Sequence, residues 1–143
     1  MISFDTNLAV YAANSAMPRH ADSVRFLESL IPRQDVVICE LMLVELYLKL
    51  RNTSIFPAPL GPADAAAHCA RYRANVNWQV VESAPVMEAV WKLAAGRDFP
   101  FRRIIDARLA LTLRHHGVTQ FATSNRKDFE GFGFERVWNP LEQ

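Results

Sequence analysis

Five polar side chains in this 143-residue sequence have the types and positions from which a hydrolytic site can be assembled: Asp5, Glu45, Asp106, Asn125 and Asp128. Four of them are carboxylates. Carboxylates packed together repel one another and raise each other's pKa. A divalent cation removes that cost. Mg2+ prefers oxygen ligands and keeps several waters, so a few carboxylates are enough to hold it, or Mn2+ in its place. Such ions work on phosphodiesters: one activates a water and another stabilises the leaving oxygen. No histidine, serine or cysteine nucleophile is required.

The elements that must bring these residues together can be read from apolar patterning. Met1 to Phe4 is short, apolar and stops at a charge, as a buried strand does. Asp5-Thr6-Asn7 offers capping side chains before a helical stretch from Leu8 to Ala13. A helix is expected from about Pro18 to Leu30, a strand over Asp35 to Cys39 and a helix over Glu40 to Arg51. Phe56 to Pro62 holds three prolines and a glycine and reads as a loop. Further helices are expected over Ala63 to Arg73, Pro85 to Ala95 and Arg103 to His116, the last two stopped by Gly96 and Gly117. Further strands are expected at Trp78 to Val81, Gln120 to Thr123 and Phe134 to Trp138. Strands alternating with helices predict an α/β fold, a parallel sheet with helices on both faces. No repeat, low-complexity tract or linker interrupts the chain, so residues 1–143 read as one domain.

Ligands bind such sheets beyond the carboxyl ends of the strands. Asp5 directly follows the first strand, and Asn125 closely follows the strand ending near Thr123. Asp106 lies in the first turn of the helix that feeds that strand, hence at the same edge. Glu45 is little more than one turn into the helix after the second strand and can face the same pole. Segments far apart in sequence thus deliver acidic or amide groups to one place.

Each residue also has a plainer reading. Asp5 alone would be an N-cap; with the other acids, a metal site is the better account. Glu45 lies between Val44 and Leu46 in a helix that is apolar nearly all round. Such a helix is expected to be buried, and a lone carboxylate there is costly. Glu40, in the first turn, serves the helix dipole instead. Asp98 competes with Asp106 as a cap and is assigned to the loop. Asn125 and Asp128 also suit an ordinary surface turn. His115 and His116 sit at a helix end, where they favour the dipole. The stripes holding Phe26, Leu27, Met87 and Trp91 read as core or subunit interface.

Composition narrows the classes. A formal charge of +1 argues against coating nucleic acid through bulk charge, though not against a local basic patch. Cys39 and Cys69 form no CxxC pair and have no partner at zinc spacing, which points to free thiols in a reducing compartment. No apolar run reaches membrane-spanning length, and residues 1–5 have no signal-peptide character. The expectation is a cytoplasmic protein.

Taken together, "ISFDTN", "LVELYLKLR" with Glu45, "IIDARLAL" with Asp106 and "FATSNRKDF" resemble the PIN domain. Their order and spacing resemble the small bacterial members that act as VapC-type toxins of type II toxin–antitoxin pairs. The resemblance spans essentially the whole chain. It implies a three-layer α/β/α fold with a central, mostly parallel five-stranded sheet. It implies Mg2+- or Mn2+-dependent endonucleolytic cleavage of RNA. It also implies a homodimer, and inhibition by an antitoxin that inserts a C-terminal peptide. Asp5, Glu45 and Asp106 match the first three acids of the family's metal site. The fourth falls on Asn125, a departure, since an amide oxygen binds a metal or orients a water but adds no charge. Asp128 is then positioned to supply the missing acid. Thr6 and Thr123 match polar flanking positions and are expected to give supporting hydrogen bonds. Arg102, Arg103, Arg126 and Lys127 lie beside the site and are candidates for RNA phosphates, giving affinity without sequence choice.

Other classes fit less well. An aspartyl phosphatase wants a second Asp two residues after the first, where this chain has Asn7. A receiver domain wants a phosphorylatable Asp after its middle strand, where this chain has Glu82 and Ser83. A flap-type DNA nuclease needs extra helical segments. A non-catalytic RNA- or protein-binding module on the same fold is the alternative that Asn125 leaves open.

Overall fold

The computed structural model describes residues 1–142. Five short strands alternate with seven helices: β1 (Ile2–Phe4), α1 (Thr6–Ala13), α2 (His20–Leu30), β2 (Val37–Cys39), α3 (Glu40–Leu50), α4 (Pro62–Arg73), β3 (Gln79–Val81), α5 (Met87–Ala94), α6 (Arg103–His115), β4 (Gln120–Ala122), α7 (Arg126–Phe129) and β5 (Arg136–Trp138). All strand pairs are parallel. β4 lies between β1 and β5, and β2 pairs with β3. These two ladders meet through one bridge, Ile2 with Val36, where the Ile2 amide donates to Asp35 O at 2.8 Å. The strand order is therefore β3-β2-β1-β4-β5.

β1 and β2 are buried along their whole length, which accounts for their apolar sequences, interrupted only by the small Ser3. Phe4 packs edge-on against Trp78, with ring centroids 5.8 Å apart, and Trp78 Nε1 donates to Leu30 O at 3.0 Å. On the other ladder Phe121 meets Phe129 at 4.5 Å and stacks on Phe134 at 5.1 Å. The end of α6 follows from its sequence. Gly117, at φ +88, adopts the left-handed conformation that side chains with a Cβ resist. There Val118 N–H donates to Leu113 O, and Gly117 N–H to Arg114 O, both at 3.0 Å.

Several expectations need correction. α2 begins at His20, not Pro18, after a turn in which Arg19 takes φ +62. The loop read as carrying Asn125 and Asp128 contains the short helix α7. α3 is not buried all round. Val44 is 53% and Leu48 61% exposed, so its apolar sequence covers a core-facing and a solvent-facing stripe.

Candidate active site

Asp5 stands at the end of β1, where its amide extends the ladder by donating to Ala122 O at 2.8 Å. It occupies the N-cap position of α1 yet makes no side-chain capping hydrogen bond. Its buried carboxylate instead accepts from Thr123 Oγ1 at 2.8 Å. Thr123 Oγ1 in turn accepts the Asn125 amide N–H at 2.9 Å. A short relay therefore runs from the loop after β4 to the end of β1. Burial pushes the Asp5 carboxyl above its ordinary range. The Thr123 hydroxyl, the Lys49 charge and the nearby amides of Asn7 and Thr6 oppose that rise without cancelling it.

Glu45 points from α3 toward the same place. Thr6 Oγ1 donates to its Oε2 at 3.3 Å, while its Oε1 is buried and has no hydrogen-bond partner. An unpartnered buried carboxylate oxygen is costly, and it marks where a ligand is wanted. Burial raises the Glu45 carboxyl, the Asp5 charge adds to the rise, and Lys49 and the Thr6 hydroxyl oppose it. Asp106, in the first turn of α6, is pushed up to about 7, first by burial and then by the charges of Asp5, Glu45 and Asp128. Its position at a helix start favours the anion, and the neighbouring acids outweigh that effect.

Asp5, Glu45, Asp106 and Asp128 are thus electrostatic neighbours drawn from four segments. They do not form a closed cage: among the described residues, no three Asp, Glu, His or Cys side chains converge as a ready-made metal shell. The donors are all oxygen and partly open to water. That fits a hard cation that keeps some of its waters, Mg2+ or Mn2+, and does not fit zinc.

Asn125 and Asp128 are both exposed. They line a cleft of about 530 Å3 with Ser124, Arg126, Lys127 and Glu130. Of the basic candidates, Arg103 is engaged within the chain. Its Nε donates to Asp128 O at 3.2 Å, its Nη2 to Glu130 O at 2.6 Å, and its guanidinium lies 4.4 Å from the Phe132 ring centroid. Arg126 shares an ion pair with Glu130 at 3.4 Å, and Arg102 sits over the exposed Phe101 ring at 5.5 Å. Lys127 is exposed on α7. Two residues at the site escaped the sequence reading, Lys49 and Asn7. Lys49 Nζ donates to Asn7 Oδ1 at 2.7 Å. The spacing of Lys49 four residues after Glu45 was the available signal.

No family model matches the sequence. Among known proteins, Ribonuclease VapC24 of Mycobacterium tuberculosis is 50% identical over 141 residues, covering 99% of this chain and 97% of that protein. Solved structures share the fold. VapC20 of Mycobacterium tuberculosis, described as a sarcin–ricin loop cleaving toxin, superposes with TM-score 0.63 at 20% identity over 85% of this chain and 87% of that one. A toxin–antitoxin complex from Klebsiella pneumoniae superposes with TM-score 0.61 at 20% identity over the full length of both chains.

Proposed function

This chain belongs to the VapC family of PIN-domain ribonuclease toxins, and on that premise we propose that it is a divalent-metal-dependent endoribonuclease acting at Asp5, Glu45 and Asp106. The observation that carries the proposal is that carboxylates from α3, α6 and the end of β1 lie within one another's electrostatic reach, with Glu45 Oε1 buried and unpartnered among them. Clustering negative charge in this way is unfavourable for folding alone. It becomes favourable when a cation binds.

Asp5, Glu45 and Asp106 would hold Mg2+ or Mn2+, with Asn125 and Asp128 at the rim. Bound there, the ion would supply Lewis-acid stabilisation of phosphate charge and a water acidic enough to attack near neutral pH. The chain's own contributions are distinct from that chemistry. Thr123 fixes one oxygen of Asp5, and Thr6 fixes one of Glu45. Asp106, pushed up to about 7 by burial and its acidic neighbours, would be partly protonated near neutrality and would ionise to hold the ion. Lys127 and Arg126 line the cleft and, with Arg102, take RNA phosphates; Arg103 braces the backbone of Asp128 and Glu130, two residues that line it. The whole chain acts as one domain and pairs as a homodimer. A cognate antitoxin is its regulator, a reading supported by the toxin–antitoxin complex of the same fold.

The test is incubation of purified, antitoxin-free protein with total cellular RNA in Mg2+, Mn2+ or EDTA, beside Asp5→Asn. Discrete fragments that require metal and vanish in the variant are expected. Intact RNA in every lane, from folded protein, would refute the proposal.

A further inference from the structure

Lys49 is one of only three lysines in a chain with thirteen arginines. It lies on α3 one turn beyond Glu45, so both side chains leave the same face of the helix. Its partly buried ammonium donates to Asn7 Oδ1 of α1 at 2.7 Å. Among the described residues, no carboxylate lies within ion-pair distance of it. Yet its charge is felt by Asp5, Glu45 and Asp106, opposing the rise that burial gives each of them. Asn7 therefore holds a positive charge beside the acids without letting it occupy their oxygens, and Glu45 Oε1 stays free.

We propose that Lys49, held back by Asn7, is a resident counter-charge of the acidic cluster that steadies the metal-free protein and limits how tightly the cluster binds a divalent cation. The inference rests on the metal-site reading above. A cation entering the cluster meets the attraction of the carboxylates and the repulsion of one fixed ammonium. Removing the ammonium strengthens the net attraction. Releasing it from Asn7 lets it pair with Glu45 and compete with the cation. The two substitutions therefore act in opposite directions.

The experiment is titration of the metal-free full chain with Mn2+ alone, following free Mn2+ by electron paramagnetic resonance and Tm in parallel. Lys49→Gln should bind Mn2+ more tightly, on the order of tenfold, as expected for one nearby unit charge acting on a dication. It should also melt lower than wild type in EDTA. Lys49→Arg should stay close to wild type, and Asn7→Ala should bind Mn2+ more weakly. If Lys49→Gln lowers the EDTA Tm but leaves Mn2+ affinity unchanged or weaker, Lys49 is a structural strut and the proposal fails. If Mn2+ affinity is unchanged while RNA binding is lost, Lys49 belongs to the substrate surface, and the proposal fails again. If wild type and every variant ignore Mn2+, the metal-site reading falls and takes this inference with it.

Discussion

At Asp106, burial and the charges of Asp5, Glu45 and Asp128 act in one direction and push the carboxyl up to about 7. In the unfolded chain its pKa is about 4. Between those values the native state binds more protons than the unfolded state, so the group's contribution to stability falls as pH rises through the window. Asp5 and Glu45 shift in the same sense. Metal-free protein should therefore melt at a lower temperature at pH 8 than at pH 5. Asp106→Asn should flatten that dependence and raise the pH 8 Tm in EDTA by roughly 3 °C. The same variant should cut RNA cleavage by more than the roughly 10- to 100-fold typical of losing an outer-shell partner. Thermal melts across pH and a cleavage assay read both effects. A destabilised Asp106→Asn would make the residue a structural group.

Among the elements, α7 carries Asp128, yet its four residues are too few to be stable alone. Phe129 anchors it against Phe121, and Arg103 ties its last residues back to α6 through two carbonyls and the Phe132 ring. Phe129→Ala should cost about 3 kcal/mol of stability by urea denaturation. Arg103→Ala should cost about 1–2 kcal/mol, because charge-assisted bonds and a cation–π contact are lost. α7 was not legible in the sequence for the same reason: four residues carry no periodicity, and a tertiary anchor creates the helix. The buried strands β1 and β2 were legible because short, largely apolar runs ending at a charged residue leave few alternatives. β5 was placed correctly but drawn too long, since Phe134 lies before the strand and stacks on Phe121. Glu45 was found partly for the wrong reason. α3 reads apolar all round, but Val44 and Leu48 face outward, and sequence alone does not distinguish a core stripe from an interface stripe. The Lys49–Asn7 link was missed because Asn7 had been read as a cap, and contacts across 42 residues leave no local pattern.

Viewed whole, the molecule gathers the acids of the candidate site at one edge and exposes several large apolar side chains, among them Trp91 at 59% and Phe101 at 81%. These exposed apolar side chains are available to partner contacts, in keeping with the proposed homodimer and antitoxin. No helix is long and apolar enough to cross a membrane, among the described residues. The acids are also divided between two ladders. Asp5 extends the β1–β4 ladder and Thr123 the β4–β5 ladder of the same sheet, whereas Glu45 rides on the helix that leaves β2. One backbone bridge, at Ile2, joins those halves. Repulsion across the acidic edge therefore loads the line where β1 meets β2, which α1 and α3 also pack across. The Ile2 amide, bonded to Asp35 O across that line, becomes a natural strain gauge for the site's charge. Hydrogen–deuterium exchange at Ile2, corrected for its intrinsic pH dependence, should quicken from pH 5 to pH 8 without metal and slow again when Mn2+ is added. Exchange there that ignores both would mean the halves are clamped by side-chain packing, with the backbone bridge a passenger.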